Sequence, residues 1–134
     1  MLGLGKERFL DALHDKTGAA LDREEAELRL RFGVQKGRRR VRSAVSKVAA
    51  FLAPHDFIAY DTFALKGLGK LIGVSAVKNF SYSEYLTTIN KLFAGPLGLR
   101  IREVCTRYPT NYASMKDRFH RRVLDTYLMR IGGR

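Results

Sequence analysis

Residues 43–73 constrain the fold more than any other stretch; they read SAVSKVAAFLAPHDFIAYDTFALKGLGKLIG. Apolar residues recur at helical spacing on both sides of Pro54, which predicts two amphipathic helices joined by a short connection. Asp61 stands where the second helix begins, and an aspartate there accepts hydrogen bonds from free N–H groups of the first turn. The predicted inward positions are Val41, Ala44, Val45, Val48, Ala49 and Leu52 on the first helix and Ala64, Leu68, Leu71 and Ile72 on the second.

The remainder of the chain also reads as helix. No segment shows a sustained alternation of apolar and polar residues, so no sheet is predicted. A chain of 134 residues is long enough for one core and not for two, so we expect an all-α fold, a single compact domain of about six or seven helices. Residues 1–33 are expected to form acidic amino-terminal helices, and residues 34–134 a basic helical body.

Capping patterns mark the starts of two further helices. Asp22 with Glu25 three residues later predicts a helix that starts near residue 23. Ser81 with Glu84 predicts another, and its tyrosines are expected to line the core rather than stack on bases because they fall on its apolar stripe. That stripe consists of Tyr82, Tyr85, Leu86, Ile89, Leu92 and Phe93.

The last helix is predicted over residues 111–131. Within it, Asp125 is expected to form a salt bridge with Arg121 or Arg122, four and three residues away. Cys105, on the buried stripe of the preceding helix, is interpreted as a small core residue and not a nucleophile. The predicted inward positions of the last helix are Tyr112, Met115, Phe119, Val123, Leu124, Tyr127, Leu128 and Ile131, and its outward ones are Lys116, Arg118, His120, Arg121, Arg122 and Arg130.

The net charge of +12 is unevenly distributed along the sequence. Residues 1–27 contain seven acidic and four basic residues, whereas residues 28–134 contain 21 basic and 6 acidic ones. Such a surplus favours a polyanionic partner, of which nucleic acid is the commonest. The alternative is a ribosome-associated or simply very soluble basic protein. The bases expected to contact phosphates ahead of the first core helix are Lys36, Arg38, Arg39, Arg40 and Arg42, although a solvated loop and helix start would have the same composition.

Several classes of chemistry lack support in the sequence. His14, His55 and His120 have no acidic or cysteine companions at ligand spacing, so no metal site is expected. Residues 67–70, Gly-Leu-Gly-Lys, lack the spacing of a Walker loop, so no nucleotide cofactor is expected. A single cysteine excludes an internal disulfide, and no stretch reads as a signal peptide or a membrane span, so a cytoplasmic location is expected.

Residues 57–62, Phe-Ile-Ala-Tyr-Asp-Thr, follow a helix of small residues and precede a helix that ends in Leu-Ile-Gly. Together with residues 122–128, Arg-Val-Leu-Asp-Thr-Tyr-Leu, this pattern resembles the core of the helix-hairpin-helix DNA glycosylase superfamily in a small, degenerate form. The resemblance implies a glycosylase-like helical bundle, duplex DNA as the partner and Asp61 as the catalytic carboxylate of base excision. It also implies a monofunctional enzyme, because the lysine of strand-cutting members would fall within residues 39–43, which contain none.

The sequence departs from that family at the phosphate-binding hairpin, usually Gly-x-Gly. Residues 33–37 have two glycines at a different spacing, so arginine side chains would have to hold the phosphates instead. Residues 1–33 also leave little room for a second lobe. Two alternatives follow from the missing lobe. Asp61 is only a helix cap in a non-catalytic nucleic-acid-binding module, or the acidic amino-terminal helices dock a second copy or a partner subunit. The further DNA contacts expected are Lys66, Lys70, Arg118, Arg121 and Arg122.

Overall fold

The structure is a computed structural model that describes residues 14, 18–32, 38–107 and 116–133. All regular secondary structure within these residues is helical, which confirms the predicted all-α class. No helix in this part of the chain is long and apolar enough to cross a membrane. The helices are α1 (Ala19–Phe32), α2 (Arg38–Leu52), α3 (Thr62–Ile72), α4 (Val74–Val77), α5 (Tyr82–Ala94), α6 (Pro96–Cys105) and α7 (Lys116–Ile131).

The contacts within the chain divide it into two helical units. The first unit comprises Met1–Tyr60 and Ser81–Leu86, and the second comprises Asp61–Phe80 and Thr87–Arg134. Their described residues differ in charge: the first unit contains eight Lys and Arg against six Asp and Glu, the second twelve against four. The positive surplus of the described residues is therefore concentrated in the second unit.

Aromatic residues form the core of the first unit. The hydroxyl group of Tyr82 donates to the carbonyl oxygen of Ile58 at 2.6 Å and accepts from its N–H at 3.2 Å. The ring of Tyr85 meets that of Tyr60 edge to face, with centroids 5.2 Å apart. All three tyrosines are buried, so the prediction that the tyrosines of α5 line the core is confirmed.

The start of α5 is capped from two places. Ser81 accepts a hydrogen bond from the N–H of Glu84 through its Oγ, as the capping pattern predicts. Asp22, sixty residues earlier, accepts from the N–H groups of Tyr82 and Ser83 at 2.8 and 3.0 Å. The prediction that Asp22 starts its own helix is wrong, because α1 already begins at Ala19 and the Asp22 carboxylate serves another helix.

The buried face of α2 differs from the predicted one. Val45 and Ala49 are buried as expected, but Ala44, Val48 and Leu52 are exposed. The buried stripe instead continues through Arg42 and Ser46, which complete an i, i+3, i+4, i+7 pattern. This face turns towards α1, where an acidic partner makes the burial of a base possible.

In the second unit, α3 and α7 pack with their backbones almost in contact. A Cβ atom at Gly67 would overlap the carbonyl oxygen of Leu128, and one at Gly132 would overlap that of Phe63. Because position 63 lies beside 132 and position 67 beside 128, the two helices run antiparallel. On α3 the predicted Ala64 and Leu68 are buried, whereas Leu71 and Ile72 are wrongly predicted and lie about two-fifths exposed, beyond the close part of the crossing.

The inward face of α7 is narrower than predicted. Leu124 and Leu128 are buried as expected, together with Met129 and Asp125. Phe119 and Tyr127, predicted to face the core, are 37% and 40% exposed. They lie beside the buried stripe and not on it, because the helix is centred on its close contact with α3. The predicted inward positions Tyr112 and Met115 lie outside the described residues.

Candidate nucleic-acid interface

Asp61 occupies the N-cap position of α3. Its backbone is extended, and its Oδ1 atom accepts hydrogen bonds from the N–H groups of Phe63 at 2.7 Å and Ala64 at 3.2 Å. The predicted cap is therefore confirmed. The side chain is only partly buried, and within the described residues both bonds involve the same oxygen, so Oδ2 is the oxygen left for another group.

The exposed side of α3 carries the two lysines predicted to contact DNA. Lys66 and Lys70 are both exposed and lie four residues, about one turn, apart. The ammonium group of Lys66 lies 5.2 Å from the centroid of the Phe63 ring, a cation–π contact. The side chain of Phe63 is 37% exposed, so this contact is made at the surface of the unit.

The exposed half of α7 carries three arginines. Arg118, Arg122 and Arg130 are all exposed and, at steps of four and eight residues, spread over about 120° of the helix circumference. The guanidinium group of Arg122 donates to Asp125 Oδ2 at 2.7 Å, which confirms the predicted salt bridge, and 72% of the Arg122 side chain remains exposed. Arg122 therefore neutralises the Asp125 carboxylate while most of its own side chain stays exposed to solvent.

The antiparallel crossing brings the bases of α3 and α7 together on one helix pair. Since position 67 lies beside 128, Lys66 is level with the carboxyl-terminal part of α7, within about one residue of Arg130 along the axis. Lys70 is level with Asp125, within about one turn of Arg122. The predicted contacts on these two helices thus lie at matching levels of one antiparallel helix pair, which we call the α3–α7 pair.

Arg121 has a structural role that the sequence did not predict. Its guanidinium group lies 5.5 Å from the centroid of the Phe93 ring, and its Nη1 lies 3.4 Å from Asn90 Oδ1. Arg102 approaches the same ring at 4.0 Å and donates to the carbonyl oxygen of Phe93 at 2.9 Å. Both arginines are half-buried, so they hold α5, α6 and α7 together within the second unit, and Arg121 is a weaker candidate for a DNA contact than predicted.

Arg42 does not belong to an exposed basic surface, so the predicted phosphate contact is corrected. Its Nε atom donates to Glu25 Oε2 at 3.0 Å, and the two side chains are only 7% and 5% exposed. The guanidinium group also lies 5.2 Å from the centroid of the Tyr60 ring. Lys36 and the side chains of Arg38, Arg39 and Arg40 lie outside the described residues; the backbone of these three arginines forms the first turn of α2.

The acidic face of α1 is smaller than its composition suggests. Glu24 and Glu25 are both buried, and Asp22 caps α5, so these three carboxylates act inside the first unit. This leaves α1 with fewer exposed carboxylates for the predicted docking of a partner.

Metal and thiol chemistry find no support among the described side chains. No group of three or more His, Cys, Asp or Glu in this part of the chain could hold a metal ion. Cys105 is buried, as predicted, and burial raises the pKa of its thiol. A thiol with a raised pKa is a poor nucleophile near neutral pH, because the reactive species is the thiolate.

The chain matches no protein-family model, no curated protein and no solved structure. The resemblance to the helix-hairpin-helix glycosylases therefore remains an expectation from residues 57–62 and 122–128.

Proposed function

We propose that the protein binds nucleic acid through phosphate contacts made by the α3–α7 pair. The observation that carries this proposal is the state of the carboxylates in the second unit. Asp125 is buried and paired with Arg122, Asp61 caps α3, and Glu103 lies 3.5 Å from Arg100. Among the side chains that the structure describes, which exclude that of Asp117, the positive charges of this unit thus face few carboxylates that lack a partner, which is the condition for attracting a polyanion.

The dimensions of the surface fit a nucleic-acid backbone. Arg118 and Arg130 are twelve residues apart, about 18 Å along α7. Phosphates of one duplex strand recur about every 3.4 Å along the helix axis, so α7 alone would span about five of them. Contact with several phosphates makes affinity depend on salt, because each neutralised phosphate releases bound counterions.

A titration of fluorescent duplex DNA at several salt concentrations tests the proposal. The expected result is a linear fall of the logarithm of the association constant with the logarithm of salt concentration, with a slope of about −0.9 per contacted phosphate. Lys66→Gln/Lys70→Gln should reduce the size of this slope by about 1.8 if each lysine contacts one phosphate. Binding that does not depend on salt would contradict the proposal.

Base excision is a second candidate activity, favoured by the position of Asp61. Its carboxylate is partly exposed, belongs to the same unit as the exposed bases, and has Oδ1 held by two N–H groups. Departure of a base leaves positive charge on the sugar, and a carboxylate held in place can stabilise that charge or activate water. We propose Asp61 for this role in a monofunctional reaction that leaves an abasic site.

Base release from duplex DNA that carries damaged and modified bases tests this activity. Asp61→Asn is the matched variant, because asparagine also caps helices and so preserves α3. Release by the wild type that is lost in Asp61→Asn, with DNA affinity and melting temperature unchanged, would support the activity. DNA binding without release from any substrate would leave Asp61 as a cap and the protein as a binding module.

A further inference from the structure

The exposed half of α7 carries both arginines and aromatic rings. At 3.6 residues per turn, Phe119, Tyr127 and Arg130 fall within about 80° of one another around the helix. Arg122 lies about 60° beyond Phe119, whereas Arg118 lies on the side opposite Tyr127. The two rings are 37% and 40% exposed. They are eight residues apart, about 12 Å along the helix and about 80° apart around it, so both lie on its exposed half.

The phosphate contacts proposed above do not require these rings. Single exposed apolar residues are common on protein surfaces and need no explanation. Here, however, two aromatic rings lie on the exposed half of α7 together with Arg122 and Arg130. Arginines can hold phosphates, and an aromatic ring offers a flat surface on which a nucleobase can stack.

The two features together select one form of nucleic acid. In a duplex the faces of the bases are covered by their neighbours, so a ring on a helix surface cannot stack on them unless a base first leaves the stack. In a single strand the base faces are open, and proteins that bind single strands combine a basic surface with stacking aromatic residues. We propose that α7 binds unpaired nucleotides, with Phe119 and Tyr127 as stacking residues and Arg122 and Arg130 as phosphate contacts. This inference rests on the proposed nucleic-acid binding and specifies the strand that is bound.

Two oligonucleotides of equal charge separate stacking from phosphate contact. One is a fluorescent thymidine strand of about 15 nucleotides, within the range of known single-strand sites. The other is an abasic strand of the same length, which has the phosphates and sugars without the bases. We expect the full chain to bind the thymidine strand at least about tenfold more tightly than the abasic strand, and more tightly than a duplex of the same length.

The double variant Phe119→Leu/Tyr127→Leu removes the stacking surfaces and keeps apolar side chains of comparable size. Its affinity for the thymidine strand should fall to that for the abasic strand, while its salt slope stays unchanged because all arginines remain. Phe51→Leu is the control. Phe51 is 83% exposed and lies in the first unit, outside the α3–α7 pair, so its loss should change the affinity less than about twofold.

The outcomes separate this inference from the proposed function. Equal, salt-dependent affinity for the thymidine and abasic strands would overturn the stacking role and leave phosphate binding intact, and so would a preference for duplex. No binding to any of the strands would overturn both. A uridine RNA strand bound more tightly than the thymidine strand would support the inference and identify RNA as the source of the unpaired bases. If the double variant does not fold, the affinities of the wild-type chain for the thymidine, abasic and duplex strands still test whether bases stack on the protein.

Discussion

Arg42 and Glu25 form an ion pair inside the first unit, with 3.0 Å between Arg42 Nε and Glu25 Oε2 and both side chains more than nine-tenths buried. The pair links α2 to α1 and explains why a base lies on the inward face of α2. A charge removed from water costs free energy unless it has a partner, so each member depends on the other.

Arg42→Met should therefore destabilise the chain, because it leaves the Glu25 carboxylate buried without its main cation. The expected loss of unfolding free energy is about 3 to 5 kcal/mol, measured by urea denaturation followed by circular dichroism. The double variant Glu25→Gln/Arg42→Met should lose less than Arg42→Met alone. A single variant within about 0.5 kcal/mol of the wild type would show that the pair is not formed in solution.

Asp22→Ala should destabilise the start of α5, because two N–H groups at Tyr82 and Ser83 lose their acceptor. We expect a loss of about 1 to 2 kcal/mol in unfolding free energy by the same denaturation measurement. Asp22→Asn keeps one side-chain oxygen and serves as the control, with a smaller loss. Equal stability of Asp22→Ala and the wild type would contradict this capping contact.

Gly67→Ala should destabilise the second unit, although alanine favours an isolated helix by about 1 kcal/mol over glycine. Its Cβ atom would overlap the carbonyl oxygen of Leu128, so α7 would have to move away from α3. A loss of about 1 to 3 kcal/mol is expected in a thermal or urea melt. Lys70→Ala, at an exposed position of the same helix, should be nearly neutral. A gain in stability for Gly67→Ala would mean that the helices do not cross at this position.

The stability of the chain should include a contribution from Cys105 that is lost at high pH. Burial raises the pKa of the thiol in the folded state above that in the unfolded state, so folding favours the protonated form. The contribution is present below the unfolded pKa, about 8.5, and declines as the pH rises above it. Denaturation between about pH 8 and pH 10 should show the wild type losing stability relative to Cys105→Ala. Parallel pH profiles for the two proteins would contradict the raised pKa.

Local patterns in the sequence predicted the features that depend on neighbours within a helix. The cap at Asp61 and the bridge between Arg122 and Asp125 need only residues two or three positions apart, and both were predicted correctly. The apolar stripe of α5 was also correct for its tyrosines, because a long helix with regular spacing has only one apolar face.

Features that depend on distant residues could not be predicted from the sequence. The burial of Arg42 depends on Glu25, which lies on α1, 17 residues earlier in the chain. A prediction from periodicity alone would not place a charged arginine on the core face of a helix. Asp22 reaches α5 across 60 residues. The sequence predicts Phe119 and Tyr127 to face inward because they fall among the apolar positions of the last helix; their exposure follows from where the backbone of α7 meets Gly67 of α3. The candidate stacking face on α7 was therefore visible only in the structure.

The most direct test of nucleic-acid binding by the second unit compares two variants that lose the same charge. Arg118→Gln/Arg130→Gln removes two exposed bases from α7, and Arg23→Gln/Lys47→Gln removes two exposed bases from the first unit. Affinities for a fluorescent single strand and a duplex would be measured between about 50 and 200 mM salt. We predict that the first variant loses affinity and reduces the size of the salt slope by up to about 1.4 on a single strand and 1.8 on a duplex, while the second matches the wild type closely. Equal losses in the two variants would show that only net charge matters and would contradict a binding surface on the α3–α7 pair.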